Sequence, residues 1–155
     1  MPPTVSNSPP IWWLIGQGVT WLIVLAGWFV VDNQNNRREL RKEIRTLIDN
    51  LIKEIDEVAV AATDFHKRTT FDDIGSKQLK LRIQRIAKNI NRNSLVQDTK
   101  AVYYFRRSIT GNNFDVTMFV SQVDDSKILA SILEEKDELI SALEDKYCNK
   151  YHKNI

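Results

Sequence analysis

The segment 44-IRTLIDNLIKEIDEVAVAATDF-65 decides how the rest of the chain is read. Its apolar residues Ile44, Ile48, Leu51, Ile55, Val58, Ala62 and Phe65 recur at alternating steps of four and three, the spacing that draws one stripe along a helix. Leu40, Leu47, Ile52 and Ala59 widen the stripe beyond a two-stranded coiled-coil seam, so this helix is expected to pack against several others. No proline follows Pro10, which favours long helices over a turn-rich β fold. The expected fold class is all-α: a single N-terminal transmembrane helix followed by a cytoplasmic antiparallel bundle of about four helices.

On the N-terminal side stands Ile11 to Val31, IWWLIGQGVTWLIVLAGWFVV, without one ionisable side chain. At 1.5 Å per residue such a run of about 21 residues covers a hydrocarbon core of ~30 Å. It has no basic n-region or small-residue cleavage site, so it reads as a retained span rather than a signal peptide. Residues 1–31 hold no Lys or Arg, whereas Arg37, Arg38, Arg41, Lys42 and Arg45 follow closely. The positive-inside rule then puts the N-terminus outside and the C-terminus in the cytoplasm of an inner membrane. Trp12, Trp13 and Trp28 are placed as interfacial anchors together with Arg37, Arg38 and Arg41. Gly16, Gln17, Thr20 and Gly27 fall near one helical face, where small residues admit a second helix and Gln17 seeks a hydrogen-bond partner, an association face for pairing in the membrane. Residues 1–10 form a short external tail, and the Asn-rich 32–36 segment, of weak helix propensity, is the expected joint.

On the C-terminal side Asp72 and Asp73 suit the capping of a helix over about 77–92, whose Leu79, Ile83, Ile86 and Ile90 again step by four and three. Ser94-Leu95-Val96-Gln97 has the form of a capping box, opening a third helix that stops at Gly111 as a C′ residue. Asn112 or Asn113 can cap a fourth segment carrying Phe114, Met118, Phe119 and Val123, with Asp115 in its first turn. A final helix carries Ile128 to Tyr147, and the helical domain, residues 37–148, ends in a frayed tail, 149–155.

Chemistry is sparsely provided. His66 and His152 are far apart in sequence, and the single Cys148 neither forms a disulfide within the chain nor stands at metal-ligand spacing. No phosphate-loop or nucleophile-elbow string occurs, and the paired aspartates read as caps. These residues give no catalytic, cofactor or metal site, no evident small-molecule substrate and no enzyme. Net charge is only +2, which argues against nucleic acid as a global partner. The charge is uneven, however. Lys77, Lys80, Arg82, Arg85, Lys88 and Arg92 make the second helix basic and are candidate contacts for an anionic surface. Asp124 to Asp145 is acidic, so the two segments could instead neutralise one another as neighbours. The expected partners are the lipid bilayer and another protein, or a second copy, met through helix–helix contacts. The expected function is protein–protein interaction or self-assembly at the membrane. The alternative is a membrane-disrupting toxin or abortive-defence effector triggered through the cytoplasmic domain.

Overall fold

The computed structural model describes residues 11–96 and 98–151, the side chains of 11–17, 19 and 20 excepted. The described residues form four helices and no strand: α1 (Ile11–Lys67), α2 (Asp73–Arg92), α3 (Lys100–Thr110) and α4 (Lys127–Tyr151). The chain divides into two units, Met1–Glu43 and Ile44–Ile155. The second is a helical bundle, as the periodicity predicts.

Its core takes one stripe from each helix. Ile48, Leu51, Ile55, Val58, Ala62 and Phe65 of α1 are all buried, as are Leu79, Ile83, Ile86 and Ile90 of α2, Val102, Phe105 and Ile109 of α3, and Leu129, Ile132, Leu139 and Leu143 of α4. The helices follow one another around the core. α3 packs on α2 and on α4, while α1 is tied to α2 by Arg82–Glu57 at 2.9 Å and to α4 by Arg45–Glu144 at 2.7 Å and Lys136–Asp56 at 3.3 Å. The two α1–α4 bridges join an early residue of α1 to a late one of α4 and the reverse, so these helices run antiparallel. Because α2 and α4 are separated by α1 on one side and α3 on the other, no ion pair joins them among the described residues. The basic second helix and acidic last helix therefore do not neutralise one another as neighbours.

Several boundaries differ from the sequence reading, each for a local reason. The helix of α1 continues through Asp32–Asn36, because weak propensity alone does not end a helix that keeps all its backbone hydrogen bonds. α2 begins at Asp73, four residues before the expected start, since the Asp72 carboxylate already accepts the N–H of Gly75 at 2.9 Å. Ser94 does not open α3; it closes α2. With φ 49° it is left-handed, its N–H donates to the Asn91 carbonyl and that of Leu95 to the Ile90 carbonyl, a Schellman closure with Ile90 and Leu95 both buried. α3 starts instead at Lys100, whose N–H is accepted by Asp98 at 3.0 Å. Gly111 does end α3, but with φ −83° and not in the left-handed region. Glycine is needed there because an added Cβ would lie 2.6 Å from the Arg107 carbonyl oxygen. Residues 112–126 are not helical; Asp115 closes a local turn on Thr117, and Met118 and Val123 are exposed. α4 runs on past Cys148 to Tyr151.

Among the described residues no helix is long and apolar enough to cross a membrane. The apolar part of α1 with described side chains, Trp21–Val31, rises only ~16 Å, about half a hydrocarbon core.

Candidate functional site

Charge is sorted by helix in the bundle. Between Lys77 and Gly111 nine Lys and Arg stand against one acidic residue, Asp98, so α2 and α3 make a basic half. The part of α1 from Ile44 on, with α4, carries eleven acidic residues, Asp49, Glu54, Asp56, Glu57, Asp64, Glu134, Glu135, Asp137, Glu138, Glu144 and Asp145, against seven Lys and Arg, and makes the acidic half. In that half the Glu135 carboxyl is pushed up by partial burial and by Glu134 and Glu138 beside it. A bundle sorted this way has a strong field across it, which orients charged partners.

The six basic residues singled out on α2 divide by environment. Lys77 pairs with Asp73 at 2.6 Å, Arg82 with Glu57, and the Lys80 ammonium lies 5.1 Å from the centre of the Phe114 ring. Arg85, Lys88 and Arg92 have no ion-pair partner among the described residues. They share the outward side of α2 with Leu81, which is 62% exposed, and Ile74, 69% exposed. On α3, Tyr103 and Tyr104 are also exposed, with Tyr103 Oη accepting from Arg107 at 3.4 Å. Hence the aromatic–basic string 103–107 contributes only Phe105 to the core.

The outward side of α1 is the counterpart. Val60 is 61% exposed, with Asp56 and Asp64 one turn before and after it, and a shallow groove of about 210 Å³ runs from Val60 to Leu133 of α4. Asp64 has no ion-pair partner among the described residues. The carboxylates of this face do not converge as a metal site: among the described residues no group of three His, Cys, Asp or Glu could hold an ion.

A second arrangement was not visible in the sequence. His66 is fully buried at the end of α1, where its Nε2 lies 3.1 Å from the Ile109 carbonyl and its Nδ1 3.2 Å from Asn113 Nδ2. The amide donates to Nδ1, so Nε2 carries the proton and donates to Ile109, a neutral ring. Burial holds its pKa below the ordinary value, against the opposing Ile109 bond. Asn113, left-handed at φ 57°, also grips Val120 by its N–H at 2.6 Å and its carbonyl at 2.8 Å. The His66 carbonyl accepts from Gln122 at 2.8 Å, Ser121 Oγ donates to the Lys67 carbonyl at 2.9 Å, and Lys67 pairs with Asp124. Phe65, Phe71, Phe114 and Phe119 stack beneath this loop with ring centres 5.0 to 5.7 Å apart. His66 therefore holds the connection between α3 and α4 and is unavailable as a ligand.

In the first unit, Gly27 is open, nothing lying within 4 Å of a Cβ built there, and Trp28 is exposed. Arg37, Arg38 and Arg41 are exposed, the Arg41 Nε lying 3.4 Å from the Arg37 carbonyl. The side chains of Trp12, Trp13, Gly16, Gln17 and Thr20 lie outside the described residues. The chain matches no family model, no curated protein and no solved structure.

Proposed function

We propose that this is a single-pass inner-membrane protein, N-terminus out and C-terminus in the cytoplasm, whose helical domain carries protein–protein contacts or self-assembly at the membrane. The observation that carries the reading is the state of Trp21–Val31: every large apolar side chain in it is between 53% and 73% exposed. A helix apolar on all sides is not stable in water and needs cover from lipid or from another protein. The uncharged run begins ten residues earlier, at Ile11, and the cationic Arg37–Arg45 cluster beyond it suits an anionic cytoplasmic leaflet. In the helical domain, the basic and acidic faces supply surfaces for partner choice rather than a reaction centre.

The test is fractionation of bacterial cells expressing the full chain. The protein is expected in the membrane pellet after carbonate washing. In a C148S background, V5C should react with an impermeant maleimide on intact cells, whereas native Cys148 in the unaltered chain reacts only after lysis. Recovery in the soluble fraction overturns the anchor, and reversed labelling overturns the orientation. Two differently tagged copies should co-purify from solubilised membranes. Collapse of the membrane potential on induction, read with a dye, would favour the membrane-disrupting effector instead.

A further inference from the structure

We propose that the α1–α2 face of the bundle is a two-fold docking surface for a second copy of this chain, with α2 of each copy lying antiparallel across α1 of the other. This deepens the assembly reading above and rests on it. Leu81 at the centre of the outward side of α2 and Val60 at the centre of that of α1 are both large apolar side chains more than 60% exposed. Around Leu81 the cations Lys77 and Arg85 stand four residues before and four after; around Val60 the carboxylates Asp56 and Asp64 stand at the same two offsets. Each charge is thus about 6 Å along the axis from the apolar centre, and the two patterns have equal pitch.

The level of the two helices makes this match self-complementary. Arg82 pairs with Glu57 within the chain, so those residues are side by side. Counting down α2 and up α1 from them sets Leu81 beside Val58, about 3 Å along the axis from Val60. A two-fold axis parallel to the helices exchanges α1 and α2 without changing level. It therefore brings Leu81 of one copy to within about 3 Å along the axis of Val60 of the other, Lys77 near Asp64 and Arg85 near Asp56, and repeats the set on the other side of the axis; the same register sets Lys53 near Lys88, a like-charged pair that the two opposite-charged pairs on each side must outweigh. Among the described residues Asp64 and Arg85 have no ion-pair partner, Lys77 pairs with the exposed Asp73, and Asp56 pairs with the half-buried Lys136. The two Glu57–Arg82 pairs meet at one level near the axis, where opposite charges alternate. One chain carrying both halves of the pattern within about 3 Å of one level is what an isologous interface requires, and it closes at two copies. An unrelated partner would have no reason to match both.

The test uses the full chain in solubilised membranes. In a C148S background, V60C alone and L81C alone should give no oxidised dimer, because each residue meets a different one across the axis, while a mixture of V60C and L81C copies should give one, facing Cα atoms then being at bonding distance. Co-purification of two tagged copies should fall roughly tenfold or more in L81E. It should fall less in K77E and D64K, and K77E/D64K in the same chain should restore it. These side chains are exposed, so far-UV dichroism should keep its wild-type helicity throughout; if a single variant loses it, the cysteine mixture and the charge-swapped rescue still decide. Co-purification that persists in L81E, with no cross-link from the mixture, overturns this docking and leaves the assembly reading standing. Absence of co-purification in the unaltered chain overturns both.

Discussion

Helix α1 carries two apolar stretches with opposite fates. From Ile48 to Phe65 the stripe residues are almost fully buried; from Trp21 to Val31 the large apolar side chains are all exposed. The difference is patterning rather than apolar content. The later stretch interleaves Asp49, Lys53, Asp56, Glu57 and Asp64 on one side, so the other side can be covered by amphipathic helices of the same chain. The earlier stretch is apolar all round, so it has no polar side to turn to water. The sharpest way to break the covered stretch is to remove the α3 side chain that fills the space facing it. Phe105→Ala, at a residue 1% exposed, should cost about 3–5 kcal/mol, read as a lower urea midpoint of the bundle's helical signal.

The covered stretch ends in the His66–Asn113 arrangement, which gives the next effect. Asn113→Ala removes the donor to His66 Nδ1 and both bonds to Val120, and puts Ala at a left-handed φ. The expected loss is about 1–3 kcal/mol, with earlier protease cleavage in 112–126 than in the helices. The pH dependence has a definite sign. Folded His66 binds its proton more weakly than in the unfolded chain, where its pKa is about 6.5. As pH falls through that value the unfolded state takes up the proton first, so stability declines below it. Above it the His66 contribution is constant. Thermal unfolding at a series of pH values from 5 to 8 checks this, and His66→Phe, which removes the titrating group, should flatten the profile.

The bundle was legible because apolar stripes report which face of a helix is covered: the α2 stripe and the α1 stripe from Ile48 to Phe65 are buried as spaced, whereas Ile44 is half-buried and Leu40 and Leu133, read as part of the apolar faces, are about half exposed. The illegible parts lie between the helices. Ser94 looks like a cap for the helix after it, yet the same residue in a left-handed conformation closes the helix before it; the two differ only in φ, on which a serine in sequence is silent. Asn113 likewise looks like a helix cap, but its amide is used across the chain on Val120 and His66. The lysines and arginines of α2 are visible in sequence as a basic helix. That the one bridge from them to another helix, Arg82–Glu57, reaches α1 and not α4 among the described residues depends on the order of helices around the core, which no local spacing encodes. Ser94→Gly isolates one such site. Glycine relieves the left-handed strain of an exposed serine, so a gain of about 0.5–1 kcal/mol is expected in the same urea titration, which is smaller than either loss above.

The uncovered stretch gives the smallest stability effect and the largest separation from the covered one. Leu25 is 60% exposed and has no place in the bundle core, so Leu25→Arg should change unfolding of the Ile44–Ile155 unit by no more than about 0.5 kcal/mol. In a bilayer the same arginine would lie within the proposed span, where it costs about 2.5–3.5 kcal/mol on insertion scales, enough to lower the inserted fraction measurably. The two measurements decide together. An unchanged urea midpoint with a shift from the carbonate-resistant pellet to the supernatant means that lipid covers Trp21–Val31. An unchanged midpoint with no shift, but with loss of co-purification between tagged copies, means that another helix covers it. A lowered midpoint would mean that the bundle itself depends on that stretch, and the contrast between the two halves of α1 would then fail.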